Sequence, residues 1–167
     1  GTVPSIPLIT GSILAKKLAE QPQVLVFDVK CGRGALMKTP EAARRLASSL
    51  VEAGKVAGVR TSAVISSMNQ PLGRMVGNSV EVQEAADLLS TPVTCQLLDL
   101  TLCLAEEICH QAGRAVTRQE LIALMESGEP RVRFDRMITL QGGDLSGLAE
   151  AEWHEIHSTG SGYVSAI

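Results

Sequence analysis

The chain has 167 residues and a formal charge of −3 at pH 7, with 45% hydrophobic, 20% charged and 2% aromatic residues. That length suits one domain with a core of ordinary size, and the apolar share argues against disorder. The acidic balance and the shortage of rings argue against a nucleic-acid surface, whether a basic patch or a stacking platform.

The longest charge-free stretch, residues 1–15, is interrupted by Pro4, Pro7 and Gly11. A membrane span takes about 20 apolar residues in a row, so this segment is not one. No basic segment precedes it and no clear cleavage site follows, so it is not a signal peptide either. The expectation is a cytoplasmic protein with no membrane contact. Cys31, Cys95, Cys103 and Cys109 form no C-x-x-C pair and are expected to be small core hydrophobes. The chain starts on Gly1, and residues 161–167 resemble a turn followed by the beginning of a strand. A strand needs a partner, so the chain is expected to be cut at both ends.

In chain order, residues 1–9 are expected to be extended, punctuated by proline. A helix then starts near Thr10 or Ser12 and runs to Glu20, ended by Gln21-Pro22. Residues 24–29 form an apolar run with one acid, the pattern of a strand covered on both faces. Thr39-Pro40-Glu41 starts a helix: a capping hydroxyl, a proline in the first turn, then an acid. Ala42, Leu46, Leu50 and Val51 are its inward residues, and it ends between Gly54 and Gly58. Residues 59–66 form a second, β-branched strand, which completes a right-handed βαβ unit.

Residues 67–77 are a loop. Asn78-Ser79-Val80-Glu81 fits a capping box, and Thr91-Pro92 the start of a further helix extending to Ala112. Gly113 is its stop. Thr117 to Glu120 is a second capping box, Pro130 opens a last helix, and Gly142-Gly143 ends it. Residues 144–160 are polar and expected to be loop-like, with a short helical piece around Trp153 as the alternative. Strands come early and helices late, the pattern of a partial α/β sheet whose other strands lie elsewhere in sequence.

The candidate chemistry is sparse. Gly32-Arg33-Gly34 follows a strand, but its spacing fits neither the dinucleotide fingerprint nor a Walker loop, and a tight turn is the better reading. Ser12 and Lys16 are four apart and share one helix face, so a hydroxyl and an ammonium can grip one carbonyl or anion. The plainer alternative is a solvated face. Glu84 follows a turn-rich loop, and loop carbonyls with one carboxylate suit a hard cation. An ordinary surface charge explains it equally well. Asp28 and Lys30 end the first strand at its carboxyl edge, where open α/β sheets place ligands, and Asp28 is equally well a structural acid. His110, His154 and His157 match no metal spacing and are expected on the surface.

Three stretches carry more. They are residues 7–20 (PLITGSILAKKLAE), 26–39 (VFDVKCGRGALMKT) and 68–82 (MNQPLGRMVGNSVEV). In this order and spacing they resemble the thymidine phosphorylase and pyrimidine-nucleoside phosphorylase family. The closing residues 162–167 resemble the lead-in to that family's C-terminal β domain.

The resemblance implies an α/β fold: a partial parallel or mixed sheet with flanking helices, preceded by a helix of a small helical domain. It divides the chain into 1–20, the tail of the small helical domain; 21–150, part of the large α/β domain; and 151–167, a linker and first strand of the β domain. It also implies a pentosyltransferase, acting in a homodimer, that takes a pyrimidine nucleoside and phosphate to the free base and a pentose 1-phosphate. Ser12 and Lys16 match the family's base-binding serine and lysine. No residue matches a catalytic group, and no organic cofactor is implied. Phosphate is a co-substrate. Some members hold a potassium ion, whose matching ligands are the carbonyls of Leu72 and Met75 and the carboxylate of Glu84.

The family's phosphate loop, with its lysine and serine, has no counterpart in these residues. Neither does its Ser-Gly-Arg-Gly signature or its base-contacting arginine. The chain by itself is therefore expected to be inactive. Two alternatives are a truncated association module and a related phosphoribosyltransferase, although the acidic magnesium motif of the latter is not seen.

Overall fold

A computed structural model describes residues 4–148 and 152–165 of the chain. In order, its elements are α1 (Ile6–Ala19), β1 (Val24–Cys31), α2 (Pro40–Val56), β2 (Arg60–Ser67), α3 (Asn78–Ser90), α4 (Gln96–Gln111), α5 (Arg118–Glu126), α6 (Glu129–Leu140) and a 3-10 turn at Leu145–Gly147. This is the expected α/β architecture, a small parallel sheet flanked by helices.

The βαβ unit forms because its pattern is consistent at every level. Thr39 Oγ1 accepts from the Ala42 N–H at 3.3 Å, and Pro40 occupies the first turn, where its missing N–H costs nothing. Strands β1 and β2 pair in parallel from Val24↔Arg60 to Cys31↔Ser67. Alternation along β1 turns Leu25, Phe27, Val29 and Cys31 toward one face. There they meet Ala43, Leu46, Ala47 and Leu50 of α2. Burying a leucine of this kind contributes about 2–3 kcal/mol. Gly54 of α2 sits against Thr61 of β2, so close that a Cβ there would collide with the threonine side chain. The opposite face of the sheet carries Asp28, Lys30, Ser62 and Ser66 and is met by α4.

α1 begins at Ile6, earlier than expected, and residues 6–9 are helical. Pro7 lies in the first turn and so opens the helix where it had been expected to prevent one. Thr10 and Leu14 are its buried residues, and Ile6, Ile9, Ile13 and Leu18 pack around the core shared with α2. The hydroxyls of Thr10 and Ser49 hydrogen-bond at 2.9 Å, tying α1 to α2.

Two helix starts differ from expectation. α3 has no capping box: Gly77 is its N-cap, no side-chain cap bond is made, and Asn78 is already helical. α4 starts at Gln96 and not after Thr91. Thr91 is extended, as a residue before proline prefers, and ends α3. The cap of α4 is Cys95, whose Sγ accepts from the Leu98 N–H at 3.4 Å. The capping box of α5 is as expected. The Thr117 N–H donates to Glu120 Oε2 at 2.7 Å, and the Glu120 N–H to Thr117 Oγ1 at 3.3 Å. Gly113 and Gly142 take left-handed φ just past α4 and α6.

Leu98 and Leu102 of α4 and Met125 of α5 form a second, smaller core. α6 has no buried residue, and Arg131 ties it to α3. Its guanidinium chelates Asp135 at 2.8 and 2.9 Å and reaches α3 at Ala86 O (2.9 Å) and Ser90 Oγ (2.7 Å). Among the described residues around Trp153, 152–158 are irregular, as expected of a loop. A 3-10 turn forms earlier, at Leu145–Gly147, started by Asp144, which accepts from the Ser146 N–H at 2.8 Å. Trp153 itself lies in irregular chain and is 73% exposed. Of the expected closing strand, residues 163–165 are irregular, and Ala166 and Ile167 lie outside the described residues.

Candidate functional site

The burial of Thr10 and Leu14 fixes which face of α1 is free. Ser12 and Lys16 are both exposed, one turn apart, on the side away from the core. Among the described residues nothing bonds to Lys16 Nζ, whereas the adjacent Lys17 pairs with Glu20 at 3.1 Å. The pair therefore presents an uncommitted hydroxyl and ammonium side by side.

At the carboxyl edge of the sheet the loops after β1 and β2 are bonded to each other. The Arg33 N–H donates to Asn69 Oδ1 at 3.0 Å, and the Gly34 N–H to Met68 O at 2.8 Å. Gly32 has φ 133°, and a Cβ there would strike the Asn69 side chain. The Gly-Arg-Gly segment is thus a tight turn, as its spacing suggested, with the Arg33 and Gly34 amides engaged by the neighbouring loop and the Gly32 amide by Met37 O. Just before it, Asp28 and Lys30 pair at 2.6 Å. Lys30 Nζ also donates to Ser66 Oγ at 2.9 Å, and Ser66 donates in turn to Asp28. This closed triangle assigns Asp28 the structural role. The three expected surface histidines, His110, His154 and His157, are exposed.

Leu72, Met75 and Glu84 come together. Residues 70–76 fold back on α3, and Glu84 accepts from the N–H of Arg74 (2.8 Å, Oε1) and of Met75 (3.2 Å, Oε2). Two cavities, of about 1170 Å3 and about 550 Å3, share this loop as a common wall. The larger extends between α3, the α3–α4 connection and Trp153. The smaller reaches Gly34 and Met68 at the sheet edge. Ser12 and Lys16 line neither, so the two sets of candidate residues stay on separate elements.

Among the described residues no group of three or more His, Cys, Asp or Glu side chains could hold a metal. On α4, Glu107 is held below the usual carboxylate range, chiefly by the Gln111 amide (2.9 Å) and secondarily by the Ser62 hydroxyl of β2.

Sequence reasoning missed Asn69 and Gly73. Asn69 ties the two loops together. Gly73 sits against Glu84, where a Cβ would lie 2.8 Å from the carboxyl carbon. The glycines themselves were the available signal, because a glycine beside a committed polar group marks a close approach.

The comparisons with known proteins agree with this architecture. Residues 1–131 match the family described as "Glycosyl transferase family, a/b domain", and the chain belongs to that family. It is 46% identical over 146 residues to a thymidine phosphorylase of Mycobacterium tuberculosis (strain H37Rv), covering 87% of this chain and 34% of that protein. It is 42% identical over 178 aligned positions to a pyrimidine-nucleoside phosphorylase of Staphylococcus aureus (strain bovine RF122), covering 100% of this chain and 41% of that protein. The chain thus spans well under half the length of these curated relatives. Among the described residues, no helix is long and apolar enough to cross a membrane.

Proposed function

We propose that this chain is the base-binding portion of a pyrimidine-nucleoside phosphorylase, a cytoplasmic homodimeric pentosyltransferase. In the reaction a phosphate oxygen bonds to the anomeric carbon of thymidine or uridine, the bond from that carbon to the ring nitrogen breaks, and its electron pair leaves with the pyrimidine. The products are the free base and a pentose 1-phosphate. The observation that carries this reading is the Ser12–Lys16 pair, exposed and uncommitted on α1. Negative charge grows on the departing base, so an ammonium one turn from a hydroxyl can hold the ring and favour charge on a carbonyl oxygen. The relatives' names support the substrate class.

The domain division at residues 20 and 150 is part of this reading, and so is a potassium ion at Leu72, Met75 and Glu84. The donors fit such an ion: a carboxylate and backbone carbonyls are hard oxygen ligands. Each Glu84 oxygen accepts one amide and keeps a further lone pair. When bound, the ion supplies positive charge beside the phosphate. In the protein itself, Glu84 and the loop hold the backbone that would receive it.

Two assays test the proposal. Thymidine and phosphate incubated with the 167-residue chain are expected to yield no thymine, since its residues include no phosphate loop of the family type. A chimera in which this segment replaces its counterpart in the Mycobacterium tuberculosis relative is expected to turn over. Turnover by the chain alone overturns the division of labour. A folded but inactive chimera overturns the function.

A further inference from the structure

Residues 70–76 contain no helix or strand, so no ladder of backbone hydrogen bonds fixes them. Glu84 does this from the second turn of α3, taking one amide on each carboxylate oxygen, Arg74 at 2.8 Å and Met75 at 3.2 Å. Charge-assisted bonds of this kind are roughly twice as strong as neutral ones. Gly73 is seated against the same carboxylate, where any side chain would displace it. A lateral bond from Gln70 to Gln96 (3.1 Å) ties the start of the loop to α4. The loop so held is the wall common to both cavities.

We propose that Glu84 is a positioning residue that fixes the 70–76 loop without any ion, with Gly73 as its matched seat. The loop is then assembled before a ligand or cation arrives, and an arriving ion meets a wall that is already in place. This concerns the resting state of the loop and does not rest on the phosphorolysis reading.

Amide hydrogen exchange of the full, isotope-labelled chain tests it, in buffer whose only cation is tetramethylammonium and again after adding potassium chloride. In the ion-free buffer the Arg74 and Met75 amides are expected to exchange slowly. Glu84→Ala is expected to speed both by about tenfold or more, while the Ala43 and Leu50 amides of α2 keep their protection. Gly73→Ala is expected to do the same with Glu84 still present, which keeps the test decisive should the first variant fail to fold. Protection of Arg74 and Met75 that arises only with potassium overturns the proposal. So does full protection of both amides in Gly73→Ala or in folded Glu84→Ala.

Discussion

The two halves of the molecule are held by different means. In the half that runs from α1 to β2, seven buried apolar side chains form one core, six on α1, β1 and α2 and Met37 on the loop between β1 and α2, with Leu50 only 1% exposed. In α3 to α6 the core has three, Leu98, Leu102 and Met125, and α6 buries none. The second half depends more on polar ties: Arg131 on α3, Glu84 on its loop, the Thr117–Glu120 box. A core built on area tolerates exposure of its edges, whereas a structure built on directed bonds depends on single atoms. The candidate residues divide along the same line. Ser12 and Lys16 stand on a helix fixed by packing, while Leu72 and Met75 belong to a loop held by hydrogen bonds to Glu84 of α3 and by the Gln70–Gln96 bond.

Variants can break or sharpen this contrast. The largest loss is expected for Leu50→Ala, about 3–5 kcal/mol, against about 2–3 kcal/mol for Leu98→Ala, measured by urea unfolding. Equal losses would erase the distinction. Gly54→Ala, which drives a methyl into Thr61, is expected to cost about 1–3 kcal/mol in the same assay. Arg131→Ala is expected to cost about 1–2 kcal/mol by stripping partners from Asp135 and Ala86 O. Hydrogen exchange should show α6 loosened with β1 and β2 unchanged, and a global loss would contradict a local tie.

The smallest loss is expected for Thr117→Ala, about 1 kcal/mol. Its partner Glu120 gives the pH dependence. The Thr117 N–H, and then its hydroxyl, hold the Glu120 carboxyl below the usual glutamate range. A carboxyl whose pKa falls on folding stabilises the fold above its unfolded pKa, and that contribution is lost as pH falls through the lowered folded value. α5 amide signals should therefore weaken on acidification below the ordinary glutamate pKa, and Glu120→Gln should remove that acid-dependent step.

The βαβ unit was legible because local and tertiary signals agree there: a capping Thr39, apolar periodicity in α2 and a continuous apolar β1. α1 starts earlier than expected because Pro7 falls in its first turn, where a proline is compatible with a helix. The expected cap at Asn78 failed because Gly77 is already the N-cap, and the helix expected from Thr91 starts only at Gln96, where Cys95 supplies the cap. Of the site, the shared face of Ser12 and Lys16 follows from helical spacing alone. The grip of Glu84 on Arg74 and Met75 depends on a loop doubling back over α3, which no periodicity encodes.

The proposed base-binding role of Ser12 and Lys16 is best tested in the chimera with the Mycobacterium tuberculosis relative, by comparing kcat/KM for thymidine phosphorolysis in Lys16→Ala and Lys17→Ala. The two lysines are adjacent, but only Lys17 is engaged by Glu20. Lys16→Ala is expected to lower kcat/KM by about 100-fold, as for loss of a group that stabilises developing charge, while Lys17→Ala stays near the parent value. Equal effects, or a Lys16→Ala chimera with undiminished kcat/KM, would contradict the assignment of α1 to the pyrimidine.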